Sequence, residues 1–181
     1  MKSQDVLLML KLMSFELDES ASQCAERYSV RSLADSTGVS KSEVANAWQR
    51  CVAVGLLKSD RITGLPILNR DGLFGFLVHG LRYVFPAKLG ELTRGMATGV
   101  GAPVLAGKLQ SAGDLVPVWP DAQGSVMGLS VVPLFKSVPE AASKDERLYA
   151  LLALTDALRI GKAREHELAA KMLGQWMGLA S

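Results

Sequence analysis

YSVRSLADSTGVSKSEVANAWQRCVAVGLLK, residues 28–58, is the stretch that decides how this chain is read. Two helical patterns meet at Thr37-Gly38-Val39-Ser40. Gly38 sits where a tight turn needs a residue free to take positive φ. Val39 is apolar and fills the space between the helices. Ser40 is a favourable N-cap, and Glu43 three residues later predicts a capping box. Val44, Ala47, Trp48, Cys51 and Val52 follow at helical spacing and predict one buried face. Lys41, Ser42, Ala45, Asn46, Gln49 and Arg50 occupy the other. The pattern is a helix-turn-helix, with residues 30–36 as its first helix and residues 40–54 as its second.

A second helix that is polar at its N-terminal half suits the major groove of DNA. Ser40 and Lys41 are expected at phosphates, where the helix N-terminus adds its dipole. Ser42, Asn46 and Arg50 are expected at bases, since Asn suits adenine and Arg suits guanine. Arg31 and Ser32 would brace the backbone from the first helix, and Lys58 and Arg61 would serve a wing. That wing would be a short hairpin of Lys58-Ser59 against Pro66-Ile67-Leu68, because Pro66 donates to no ladder except at an edge. Gly38-Val39-Ser40, Val44, Ala47 and Gly55-Leu56-Leu57 together resemble a phrase of bacterial winged-helix regulators of the MarR and GntR kind. The resemblance covers about a sixth of the chain and implies a winged DNA-binding domain. The phrases HGLRYVFPAKLGELTRGM, PVWPDAQGSVMG and LYALLALTDALRIGKAREHELA are similar to those of a group of uncharacterised bacterial helix-turn-helix proteins. That similarity implies a bacterial source and no particular ligand.

The remaining chain predicts an α+β fold that is mostly α, with residues 1–68 as a winged helix-turn-helix domain and residues 69–181 as an α+β regulatory and dimerisation domain. Residues 5–17, DVLLMLKLMSFEL, are apolar on more than one face. This first helix is expected to pack on the helix-turn-helix and to help make a dimer. A short helix through Cys24 and Arg27 follows. Asn69 caps a helix that Gly80 stops, and Arg82 to Phe85 reads as a strand. The Gly-rich residues 87–114 are too long for a plain connection and read as a functional loop or as a segment partly ordered by packing, in which Thr93-Arg94-Gly95 offers an anion a guanidinium beside flexible backbone. Residues 115–119 and 125–134 read as two strands of a hairpin, turned by Pro120 to Gly124. Ser137 caps a short helix over residues 138–143. Two longer helices, 145–160 and 162–177, meet at Gly161 as a C-terminal helical hairpin.

The near balance of 20 basic and 18 acidic residues gives only weak support to DNA binding, since a strong basic bias would imply a large phosphate footprint. The first 62 residues are neutral, residues 63–113 carry +3, and the rest −1. Cys24 and Cys51 form no metal-ligand pattern, and Cys51 reads as a small core residue. His79 and His166 lack the partners of a catalytic or metal site, and Asp114 and Asp121 flank a turn. Neither catalysis, nor a cofactor, nor a metal is expected. No signal peptide and no membrane-spanning run is visible, which predicts a cytoplasmic protein. The function expected is a sequence-specific transcriptional regulator that binds double-stranded DNA as a homodimer. The alternative is a helix-turn-helix interaction protein that holds a protein partner through its C-terminal helices, echoing the layout of AbiEi-like antitoxins. A third use is an effector pocket lined by Phe76, Tyr83, Phe85 and Trp119.

Overall fold

The computed structural model describes residues 1–18, 25–108 and 115–179. The expected α+β class is observed, dominated by helices, with one two-stranded and one three-stranded sheet. Its centre is the first helix, α1 (Ser3–Glu16), in which every residue from Asp5 to Ser14 is buried. The run Val-Leu-Leu-Met-Leu leaves no polar stripe, so the helix is stable only when covered on all sides. It packs against α2 (Val30–Thr37), α3 (Lys41–Ala53), the hairpin below and the long helix α7 (Glu146–Ile160). The expectation that α1 helps make a dimer is therefore corrected: its own chain takes up its whole surface between Asp5 and Ser14.

Three polar groups go into that core with α1, and each has its partner. Asp5 is fully buried and accepts from Arg50 Nε and Nη2 of α3 at 2.9 and 2.6 Å. Lys11 Nζ meets Asp145 Oδ2 at 2.7 Å, and Ser14 Oγ donates to the same oxygen. Asp145 also N-caps α7, accepting from the amides of Arg147 and Leu148. Burial alone would raise the Asp145 carboxyl, but Lys11, the Leu148 amide and Ser14 outweigh it and hold it below its ordinary value.

α2 and α3 follow the sequence closely. Gly38 closes α2 at φ +68°, as the turn requires. Ser40 caps α3 by accepting from the Glu43 amide. The second half of the expected capping box is absent, because the Glu43 carboxylate turns away to Lys2, Gln4 and Arg50. Val44, Ala47 and Cys51 are buried, whereas Val52 is exposed, so the inner stripe of α3 is narrower than expected. Burial pushes the Cys51 thiol up to about 12, so it behaves as a core apolar group. Cys24 and the start of its expected helix lie outside the described residues; Ala25–Tyr28 form a single 3-10 turn. The expected hairpin is present as β1 (Leu57–Ser59) against β2 (Pro66–Leu68). Leu57 and Leu68 face inward, while their neighbours Lys58 and Ile67 face out.

Two elements differ from expectation. Gly80 does not stop its helix. α4 (Arg70–Gly75), capped by Asn69, passes through a widened turn at Phe76–Gly80 into α5 (Leu81–Val84). Burial of Leu77, Val78 and Leu81 keeps the chain helical past the glycine, so Arg82–Phe85 is not a strand. Pro86 ends the run by barring helical geometry at Phe85. The missing strand lies instead in the segment expected to be a loop: β3 (Leu89–Ala97).

β3 pairs antiparallel with both β4 (Pro117–Pro120) and β5 (Val126–Val131). The expected β4–β5 hairpin is corrected: sharing one antiparallel partner makes them parallel, with Pro117 opposite Leu129 and Val118 opposite Ser130. The three strands close on one another. Glycine makes this possible, because a Cβ on Gly95 would fall on the Trp119 carbonyl and one on Gly128 on the Val116 carbonyl. Gly124 lies directly over the Gly95 backbone, where the chain crosses β3. Gly95, one of the glycines that make this segment read as loop, is thus one of the contacts that close the strands. Asp114 lies outside the described residues.

The closed strands are fastened to α7 at Asp156. This fully buried carboxylate accepts from Trp119 Nε1 at 2.6 Å, Thr98 Oγ1 at 2.9 Å and Arg159 Nη1 at 2.7 Å. Arg159 also donates to the carbonyls of Phe85 and Val132. α7 is buried all round from Leu151 to Arg159 rather than along one stripe. Gly161 ends it, and α8 (Ala163–Trp176) returns against it. Inside α8 are Ala169, Leu173 and Gly174, while Ala163 is exposed. One continuous apolar core includes residues from both sides of position 68.

Two outcomes are expected. Gly95→Ala overpacks the strand crossing and destabilises the protein by about 3 kcal/mol, read from the urea midpoint. Because the folded Asp145 carboxyl titrates below its unfolded value of 3.8, its contribution is full above that pH and is lost as pH falls through the folded value. Unfolding midpoints measured from pH 6 to pH 2 fall in the wild type, and Asp145→Asn is weaker at pH 6 but falls less over this range.

Candidate nucleic-acid interface

The helix α3 has three sides. Val44, Ala47 and Cys51 face the core. Glu43 and Arg50, two turns apart, form a flank that faces the N-terminus of α1. Ser42, Asn46, Gln49 and Ala53, at helical spacing, are exposed along the outer side. Asn46 and Gln49 make no side-chain hydrogen bond among the described residues, so their amides are free for a ligand. Ser42 Oγ lies 3.3 Å from Ser40 Oγ at the capped end. This outer side is short-chained, polar and uncharged, and so admits close approach of another surface.

Of the nine expected contact residues, Arg31, Ser40, Lys41, Ser42, Asn46, Lys58 and Arg61 are exposed, and Ser32 is half-buried in the first turn of α2. Arg31, Lys41, Lys58 and Arg61 form no ion pair among the described residues and present bare positive charge. The loop carrying Arg61 is firmly shaped: Asp60 Oδ1 accepts from the amides of Ile62 and Thr63 and from Thr63 Oγ1. The Thr63 amide bond to Asp60, first among these contacts, helps hold that carboxyl below its ordinary value.

Arg50 is the correction. It does not reach outward to bases but forms a two-bond fork on buried Asp5 and a third bond to Glu43. Hydrogen bonds from Arg50 and then Lys2 hold Glu43 down at about 2. The reason is positional: Asp5 is buried 45 residues away and pairs with no other cation among the described residues, and an unpaired buried carboxylate costs more than a surface arginine gains in water. Gln49 takes the outward place that sequence reasoning assigned to Arg50. The signal was available, since Gln49 continues the Ser42–Asn46 series by a further three residues.

Other expected sites do not assemble. Arg94 is exposed on a strand, with Thr93 and Gly95 held in extended pairing, so the flexible anion loop is absent. Trp119 is buried on Asp156 while Tyr83 is 79% exposed, so the four aromatics line no common pocket. His79 is exposed rather than packed, and His166 Nε2 lies 3.2 Å from the Val78 carbonyl. No helix among the described residues is long and apolar enough to cross a membrane.

Position on α3 predicts opposite behaviour for two neighbours. Arg50→Ala strips Asp5 of its guanidinium partner and destabilises the fold by about 3 kcal/mol, the lower end of the range for a broken buried pair because Arg50 is 26% exposed. Asn46→Ala leaves thermal stability unchanged. Urea unfolding of the two variants side by side checks both.

Compared with protein-family models, with curated proteins and with solved structures, the chain shows no significant match.

Proposed function

We propose that this protein binds double-stranded DNA as a sequence-specific transcriptional regulator, through a winged helix-turn-helix made of α2, α3 and the β1–β2 hairpin. The carrying observation is the outer side of α3, where Ser42, Asn46 and Gln49 stand exposed, two of them carboxamides without partners. Carboxamides are the side chains that pair with adenine through two bonds in the major groove. Ser40 and Lys41 at the capped N-terminus take phosphate, and Arg31, Lys58 and Arg61 supply unpaired cations around it. Arg50 acts indirectly, by setting the angle of α3 against α1. A single such unit reads few bases, so binding as a homodimer to a palindrome is part of the proposal.

A second reading, a helix-turn-helix adaptor or antitoxin-like protein, rests on a different observation. Leu89, Leu92 and Met127 on the sheet, with Val132 and Tyr83, are all about half exposed or more. Exposed apolar side chains of this size favour a protein partner.

The deciding experiment is binding of the purified protein to its own upstream DNA against a scrambled duplex at two salt concentrations. Preference for its own DNA, weakening with salt, is expected. Asn46→Ala lowers that preference by about tenfold or more. Lys41→Ala weakens both duplexes alike and reduces the salt slope by about one. Equal weak binding, or none, transfers the function to the adaptor reading.

A further inference from the structure

Behind the turn of the helix pair lies a cleft of about 760 Å³, between the closed strands, α6 (Val138–Ser143) and the start of α7. Its volume is that of a small-molecule site. Pro103, Pro120, Pro139, Met96 and Tyr149 provide an apolar lining. Tyr149 is held rigid there, its hydroxyl donating to the Ala97 carbonyl at 2.7 Å and its ring leaning on Trp119.

The charges in the cleft are of two kinds. Glu140 pairs with Lys144 at 2.5 Å. Among the described residues Lys136 has no partner, and the Asp121 carboxylate accepts only from the Gln123 amide. The cleft lining thus carries one cation and one carboxylate without an ion-pair partner among the described residues, on different segments, together with apolar side chains.

A connection runs from this cleft to the helix pair. Ser137, next to Lys136, was expected to cap α6 but makes no capping bond. Its hydroxyl instead donates to the Thr37 carbonyl at 2.5 Å, in the turn between α2 and α3. A Cβ on Gly38 would strike the Ser137 Cβ, so the two backbones are already in close contact. Anything that draws Lys136 into the cleft moves the residue on which the turn rests.

We infer that this cleft binds a small zwitterion with an apolar body, an amino acid or a short peptide, whose carboxylate pairs with Lys136 and whose ammonium pairs with Asp121, and that its occupancy is passed through Ser137 to the turn before α3. The binding stands on the cleft alone; its effect on DNA rests on the function proposed above. Ser137 lines the cleft but is a coupling residue, because its hydroxyl is already spent on the Thr37 carbonyl.

The test is isothermal titration of the full chain with L-methionine, L-leucine and leucyl-leucine. Leucyl-leucine acetylated at its amine, or amidated at its carboxyl, serves as the one-charge control. The free zwitterions bind, and blocking either end weakens binding by about tenfold or more. Lys136→Ala and Asp121→Asn each remove the preference for their own end, with melting temperatures unchanged because both side chains lie at the surface of the cleft. Binding of the amino acids alone assigns the site to free amino acids; binding of the dipeptide alone assigns it to peptides. No binding of any probe, or binding indifferent to the blocked ends, overturns the inference. In the second arm, the ligand shifts the Kd for upstream DNA by about fivefold or more, and Ser137→Ala abolishes that shift while the titration persists. A protein that binds the zwitterion but no DNA removes the regulator reading and leaves the site. A protein that binds DNA but no zwitterion removes only the site.

Discussion

The burial of α1 on every side is the constraint from which the rest of the structure follows. A helix with no outward face has to be wrapped, and α2, α3, the β1–β2 hairpin and α7 do the wrapping. Its polar residues cannot be left bare in that core, since an unpaired buried charge costs several kcal/mol. Asp5 therefore takes Arg50, and Lys11 takes Asp145. Each pair ties α1 to a different partner: the first sets α3, and the second sets the start of α7. The helix pair proposed to meet DNA and the C-terminal helices are thereby referred to one rod.

This arrangement divides α3 by task. Its inner stripe packs, its flank is committed to Asp5, and only its outer side remains free. The division shows why an arginine on a candidate DNA-binding helix is not automatically a DNA contact. A guanidinium within reach of a buried carboxylate is spent on the fold. The carboxamides of Asn46 and Gln49 have no such competitor and keep their hydrogen-bonding capacity for a ligand.

The three-stranded unit obeys a different constraint. It has too few strands to bury much apolar surface by itself, and it closes by bringing backbones together at Gly95, Gly124 and Gly128. Its attachment is polar and central: Asp156 collects Trp119, Thr98 and Arg159, and Arg159 gathers carbonyls from α5's end and β5's end. The unit is thus held rigidly beside α6, whose first residues touch the turn between α2 and α3. Distance along the chain between residue 37 and residue 137 becomes direct contact.

Local chemistry was legible in the chain. Gly38, the Ser40 cap, the Val44–Ala47–Cys51 spacing, the short hairpin and the helix limits at Asp145 and Gly161 each depend on residues within a few positions of one another. Their physics is the same in a peptide as in the folded protein. What tertiary structure decided depends on groups far apart in sequence. Arg50 turned inward because Asp5 lies 45 residues away in the core. Gly80 stayed helical because Leu77 and Leu81 had a core to enter. Residues 89–97 became a strand because they paired with distant segments, with Gly95 against the Trp119 backbone, and β4 and β5 became parallel because both needed β3. The sequence alone thus determined α2, the turn at Gly38 and the capped start of α3, since short-range sterics and hydrogen bonds suffice there. The tertiary structure decided which polar side chains remain free to act, because a charge goes first to the partner that burial has left unpaired.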